Sequence, residues 1–231
     1  MEADDAARLA KGWFDHTPRD AALFLAALTH GSHASTQKGA SSYERLEFLG
    51  DRVLGLIVAA WLYERFPTEP EGKIARRFNA LVARETCAEI GRSIGLPDHV
   101  RLGRQARDDK AQLSDNVIGD VVEALLGALY LDAGLEACDV FVRDHWKGGL
   151  DDQRRAPVHP KSGLQELAAA RNLGTPTYDH LATKGPPHAP RFTVRASLRG
   201  GQSAEAEGAS KQEAETAAAA ALLDRIQARS S

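Results

Sequence analysis

The sequence predicts an all-α domain followed by a small α+β domain whose elements run α-β-β-β-α. Three observations carry that expectation. From about Leu9 to Trp146 apolar residues recur at three- and four-residue intervals, the period of helices with one buried side. Residues 147–159 mix glycine, charge and proline without apolar periodicity, which is the composition of a flexible linker. Beyond them, in Phe192-Thr193-Val194-Arg195-Ala196-Ser197-Leu198, apolar and polar residues alternate, the period of a strand with one buried face. The expected boundaries are therefore 6–134 for the helical domain, 147–159 for the linker and 160–229 for the second domain.

Within the first domain the helices should break at Pro18, Gly31, Pro67, Gly95-Leu96-Pro97 and Gly134. In the second, Ser162 with Gln165 three residues on matches a capping box and opens a short helix to about Arg171. A strand is expected before Gly185, and Arg199-Gly200-Gly201 supplies the turn from the alternating strand into the next. The chain closes in a helix from about Ser210 to Ala228. Its alanines, Ala217 to Ala221, let it lie close against a sheet, and helix propensity alone also accounts for them.

With 231 residues, 43% hydrophobic and 26% charged, the chain has the composition of a soluble globular protein with room for a sizeable core. Cys87 and Cys138 lie far apart, without Cys-x-x-Cys or Cys/His spacing, and read as two buried thiols rather than a zinc site or a disulfide. The acidic N-terminus lacks the order of a secretory signal and no apolar run reaches a membrane span, so a cytoplasmic protein without membrane attachment is expected. Charge is unevenly shared. Residues 1–155 carry 20 Lys+Arg against 25 Asp+Glu, net −5, and residues 156–231 carry 9 against 7, net +2. Two domains with different tasks fit that contrast.

The most informative stretch is Tyr43 to Leu54, YERLEFLGDRVL. Glu44, Glu47 and Asp51 stand at i, i+3 and i+7, so one helix face carries all three acids. Leu46, Phe48, Leu49, Val53, Leu54, Leu56, Ile57 and Val58 make the rest of that helix apolar nearly all round, the mark of a buried helix. A second helix, Val117 to Leu131, repeats the anomaly: Asp120 and Glu123 are its only charges. Burying ionised carboxylates without a partner costs several kcal/mol, so a compensating cation is needed. If the two helices pack side by side, Glu47, Asp51, Asp120 and Glu123 converge. An all-oxygen set suits a hard cation, Mg²⁺ or Mn²⁺, and such a site can activate water for attack on a phosphodiester. The alternative at this point is an ion-pair network with outside arginines such as Arg76 or Arg77.

These same residues resemble the ribonuclease III signature, usually written with Asn or His where Tyr43 stands. Thr29-His30 upstream, Pro70-Glu71-Gly72 after the signature helix and the run Gly119 to Gly134 downstream match in the family's order. The C-terminal part is similar to the family's double-stranded-RNA-binding domain, so the resemblance spans nearly the whole chain. It implies an all-α endonuclease domain with Glu47, Asp51, Asp120 and Glu123 as the metal cluster, Asp51 and Glu123 being the residues most needed for cleavage. Glu44 and Glu71 match accessory acids at the edge of the catalytic valley. The resemblance further implies a homodimer cutting double-stranded RNA with Mg²⁺, Mn²⁺ substituting and no small-molecule cofactor. The ends left are 5′-phosphate and 3′-hydroxyl with a short 3′ overhang, and ribosomal-RNA precursors and structured messages are the implied substrates. Phe48 resembles the aromatic plug of the dimer interface, with plain core packing as its alternative.

In the second domain the resemblance places RNA contacts at Gln165 and Glu166 of the first helix, at Pro187 and His188 of a GPxH loop, and at Lys211 and Gln212 of the last helix. Polar groups suit the hydroxyl-lined minor groove of A-form RNA, and Lys211 at a helix N-terminus suits phosphate. Where the family often has a second lysine this chain has Gln212, so one phosphate contact is expected to be weaker. The rival readings are a catalytically silent double-stranded-RNA binder and a helical phosphohydrolase of nucleotides. Intact acids argue against the first and the C-terminal domain against the second. The basic stretch Arg101, Arg104, Arg107 and Lys110, interrupted by Asp108 and Asp109, is assigned no role and reads equally as a solvated loop.

Overall fold

The computed structural model describes residues 1–35, 41–152, 160–186 and 190–228. The chain divides into two compact units, Met1–Pro157 and Val158–Ser231. Residues 153–159 of the expected linker, and Pro187 and His188, lie outside the described residues.

The first unit is helical: α1 (Ala3–Phe14), α2 (Ala21–Ala27), α3 (Gly31–Ala34), α4 (Glu44–Arg65), α5 (Glu71–Leu81), α6 (Arg84–Ser93), α7 (Arg104–Asp108), α8 (Asp115–Ala133) and α9 (Leu135–Asp152). Short 3-10 turns occupy Leu96–His99 and Ala111–Leu113. α8 is the central element. Its residues Ile118, Val121, Ala124, Leu125, Leu126 and Leu129 are buried almost completely, because α2, α4, α6 and α9 all pack against it. At its C-terminal end Asp132 is buried and clasps the connection between α1 and α2, accepting from the backbone N–H groups of Arg19 (2.9 Å) and Asp20 (2.8 Å) and pairing with His16 (2.5 Å). None of the described helices is long and apolar enough to cross a membrane.

Two expectations are corrected here. The helical unit does not stop at residue 134, and residues 147–152 are helix rather than linker. α9 runs through Gly148 and Gly149 to Asp152 because Phe141, Val142, Trp146 and Leu150 continue one apolar stripe that buries against the rest of the unit. The Trp146 indole N–H also donates to the Leu81 carbonyl (2.9 Å). Burial of that stripe outweighs the roughly 1 kcal/mol that each glycine costs a helix.

The second unit contains α10 (Pro160–Ala170), β1 (Thr177–Lys184), β2 (Arg191–Ser197), β3 (Ser203–Gly208) and α11 (Lys211–Ala228). The antiparallel sheet has the order β1-β2-β3, with Thr177 opposite Ser197 and Phe192 opposite Gly208. α10 begins at Pro160, two residues before the expected capping serine, in keeping with proline's fixed φ at a first helical position. The alternation in β2 resolves as expected: Val194 and Ala196 are buried, and Arg195 projects on the open face to pair with Glu205 (2.6 Å). Gly200 and Gly201 make the turn with φ of 101° and 82°, a region that disfavours side chains. Ala214, Ala218, Ala219, Leu222 and Ile226 of α11 join Leu164, Val194, Ala196 and Ala204 in this unit's core.

Candidate active site

α4 and α8 approach at backbone contact, and glycine permits it. A Cβ on Gly50 would stand 1.7 Å from the Glu123 carbonyl oxygen, and one on Gly127 would stand 2.2 Å from that of Leu46. Helical period puts Glu47 and Asp51 on either side of Gly50, and Asp120 and Glu123 on the preceding turns of α8. The close contact therefore occurs at the level of the acids.

Their charges register on one another. Burial, followed by repulsion from Asp51, Asp120 and Glu47, pushes the Glu123 carboxyl up to about 7. Burial and then Asp120 and Glu44 raise Glu47, and burial raises Asp120. Cys87 of α6 lies beneath, its thiol pushed up to about 12 by burial and then by the Glu123 and Asp51 charges. These groups share a net negative field that a bound cation would relieve.

Among the described residues, Arg84 at the start of α6 is a cation whose charge is felt at Glu47, Asp120 and Glu123. Its stem crosses Gly119, and its guanidinium donates to the Asn116 side-chain oxygen (3.1 Å). For the alternative reading, an ion-pair network with outside arginines, Arg84 is the arginine whose charge reaches these acids. Arg77 is buried, bonded through two N–H groups to Glu69 (2.8 Å each) and stacked 3.9 Å over the Phe66 ring. Sequence reasoning missed Arg84 because it reaches the acids only through the packing of α6 on α8. Tyr43, flagged only as a departure from the signature, is buried near the acids of this site. Burial, then the charges of Asp120, Glu47 and Glu44, push the phenol above its usual range.

The donor set fits a hard divalent ion: carboxylate oxygens in a field with too few cations. The arrangement is not a finished cage. Among the described residues no three His, Cys, Asp or Glu side chains already stand as a ligand group, and Asp51 is turned to its neighbour Arg52. A rotation of the partly exposed Asp51 side chain is what ligation would ask of it.

The remaining residues fall at the edges. Glu44, at the first position of α4, accepts from the Ser42 hydroxyl (2.6 Å) and contributes to the field at Glu47. Glu71 opens α5 as an exposed residue. Phe48 is 65% exposed, so it is not core packing, and the Arg52 guanidinium lies 4.4 Å over its ring. It borders a groove of about 860 Å³ lined by Leu23, Ala26, Leu46, Leu49 and Leu131. Of the basic stretch, Arg101 is no solvated residue: it donates to the Thr29 hydroxyl (2.8 Å) and meets His33 (3.1 Å). In the second unit Gln165 and Glu166 are exposed on α10, and Lys211 and Gln212 are exposed at the start of α11. Ser210 and Glu213 cap that end, the Ser210 hydroxyl accepting from the Glu213 N–H (3.1 Å) and the Glu213 carboxylate from the Ala209 N–H (2.7 Å).

Comparison with known proteins matches residues 20–150 to a family described as Ribonuclease-III-like and residues 160–226 to a Double-stranded RNA binding motif. A curated relative, Ribonuclease 3 of Zymomonas mobilis subsp. mobilis, is 56% identical over 209 residues, which cover 90% of this chain and 83% of the relative. The crystal structure of the nuclease domain of a ribonuclease III from Campylobacter jejuni superposes with a TM-score of 0.56 at 30% identity, covering 61% of this chain and 94% of that one. A second structure of that nuclease domain, described as showing structural flexibility in a region involved in dimer formation, gives 0.56 at 29% identity, covering 60% and 97%.

Proposed function

The chain belongs to the ribonuclease III family of double-strand-specific endoribonucleases, and we propose that it cuts double-stranded RNA with a divalent cation, Mg²⁺ or in its place Mn²⁺, held by Glu47, Asp51, Asp120 and Glu123. The observation that carries this reading is the α4–α8 contact at Gly50 and Gly127, which sets those acids in one negative field with Glu123 pushed up to about 7. Bound there, the cation would supply a water that ionises near neutral pH and would offset charge building on the phosphodiester. The protein's part is to hold the ligands, to set Arg84 beside them and to keep α8 buried behind them. Asp51 and Glu123 are the residues on which cleavage depends most.

The second unit supplies affinity. Gln165 and Glu166 on α10, Lys211 and Gln212 on α11, and the segment with Pro187 and His188 are the RNA contacts in this reading. Two copies form the working enzyme, each cutting one strand and leaving 5′-phosphate and 3′-hydroxyl ends with a short 3′ overhang. The exposed Phe48 beside an apolar groove supports self-association, and the C. jejuni relative has a region involved in dimer formation. Precursors of ribosomal RNA and structured messages, in the cytoplasm, are the proposed substrates.

The test is cleavage of a perfectly paired RNA duplex. Wild-type protein should cut with Mg²⁺ and stop with EDTA, and Glu123→Gln should retain the duplex while cutting at least about 100-fold more slowly, the scale of loss when a transition-state group is removed. Cutting by Glu123→Gln at the wild-type rate would remove the four-acid site from the mechanism.

A further inference from the structure

We infer that Arg52 couples cation binding to self-association: its guanidinium is shared between the Asp51 carboxylate and the Phe48 ring, so drawing Asp51 into the metal site frees the ring to meet a second copy. The inference deepens the reading above and rests on two parts of it, Asp51 as a ligand and Phe48 as a contact between copies.

Phe48, Asp51 and Arg52 stand at i, i+3 and i+4 of α4. The arginine therefore has an acid beside it and an aromatic ring one turn behind it, the direction in which long helical side chains lean. The structure shows both contacts at once. Arg52 Nη1 donates to Asp51 Oδ2, and the same guanidinium lies 4.4 Å from the centre of the Phe48 ring. Phe48 is 65% exposed and the side chains of Arg52 and Asp51 are 60% and 46% exposed, so each can change partner without the helix moving.

Both contacts oppose the proposed function. While Asp51 accepts from Arg52, its carboxylate is turned to a guanidinium rather than to a cation. The groove beside the ring is lined by Leu23, Ala26, Leu46, Leu49 and Leu131, and Phe48 itself stands at its border. Two copies related by a two-fold axis can therefore each set Phe48 against the other's groove. A guanidinium lying on the ring must be shed first, because burying a cation away from its carboxylate is strongly unfavourable. One motion answers both demands. When Asp51 turns to a bound cation, Arg52 loses the ion pair that anchors it over Phe48, and an exposed stacking contact alone is weak enough to give up. By linkage the help is reciprocal: the factor by which the cation tightens the dimer is the factor by which the dimer tightens the cation.

Full-length wild type, Arg52→Gln, Arg52→Lys and Asp51→Asn, carrying donor or acceptor dyes at the N-terminal amine, are diluted in EDTA and in Mn²⁺, and the dimer is read by energy transfer between copies. Mn²⁺ affinity is read separately, by electron paramagnetic resonance of the free ion. Wild-type association is expected to tighten on the order of 10-fold with Mn²⁺, the scale of a modest coupling between sites. Arg52→Gln, which removes the charge, should associate in EDTA as tightly as the wild type does with Mn²⁺ and should not respond to the ion. A general effect of ionic strength would persist in that variant. Arg52→Lys keeps the charge and with it part of the response. Mn²⁺ that binds the wild type without tightening the dimer overturns the coupling alone, and so does an Arg52→Gln chain that still responds or that associates less tightly than the wild type. A chain monomeric in every condition removes self-association, and Asp51→Asn binding Mn²⁺ as the wild type does removes the ligand; in either case the inference falls with the reading beneath it.

Discussion

Glu123 holds its proton into the neutral range because it is buried among charges of its own sign, and this makes the metal-free protein sensitive to pH. Its carboxyl is raised from 4.5 to about 7. A folded-state value above the unfolded one means that the folded chain binds the extra proton between them. The stabilising contribution is complete below 4.5 and is lost as pH rises through about 7. Glu47 and Asp120 are raised in the same direction, so the site as a whole opposes folding at alkaline pH until a cation neutralises it. Removing one charge should therefore stabilise the empty protein. In EDTA at pH 8, Glu123→Gln is expected to be more stable than wild type by roughly 1–2 kcal/mol after allowance for solvent screening of this partly exposed group, the two converging as pH falls below 4.5. Saturating Mg²⁺ should reverse the order, because a cation held by the proposed site would stabilise the folded wild type by mass action. Calorimetric scans over that range check both signs. A difference independent of pH and of Mg²⁺ would mean that Glu123 is not part of a repelling cluster.

At the scale of elements, the site exists because two helices touch where neither has a side chain. Gly50 faces the Glu123 carbonyl and Gly127 faces that of Leu46, so an added methyl on either must push α4 from α8 rather than move a flexible neighbour. Gly50→Ala is expected to cost about 3 kcal/mol, the upper range for overpacking, which lowers the melting temperature by roughly 6–12 °C in a unit of this size. Cleavage should fall further than the loss of folded protein explains, since the acids separate. A folded Gly50→Ala with wild-type kcat would show that the helix contact does not set the site. The contact also explains what could be read beforehand. Glu44, Glu47 and Asp51 on one helix, and Asp120 and Glu123 on the other, follow from the period of 3.6 residues and need no tertiary knowledge. Arg84 leaves no such trace, because its place beside Asp120 comes from α6 lying across Gly119. The end of α9 was hidden for a related reason: Gly148 and Gly149 suggest a break by local propensity, and the burial of Trp146 and Leu150 that overrides it is a tertiary effect.

The whole molecule divides charge as it divides labour. Residues 1–155 carry a net −5 and residues 156–231 a net +2, so the part with the acids repels a polyanion that the other part must attract. In the second unit the α-β-β-β-α order was readable from alternation and turn residues, and Gln212 follows Lys211 at the exposed start of α11, where the family resemblance leads one to expect a second lysine. The aligned N–H groups of that helix end already favour phosphate, and a second ammonium there would add a charge contact without disturbing the cap made by Ser210 and Glu213. Gln212→Lys should therefore steepen the dependence of duplex binding on salt, adding about 0.9 to the slope of log K against log salt, the increment per phosphate on duplex DNA. Because the substitution lies in the unit that grips rather than the one that cuts, KM at moderate salt should fall while kcat stays within about 2-fold, as uniform binding of ground and transition states requires. Retention assays in EDTA from low to moderate salt give the slope, and steady-state cleavage gives the split. An unchanged slope would place the start of α11 away from the RNA backbone, and a raised kcat would mean that duplex binding by the second unit is coupled to the chemical step.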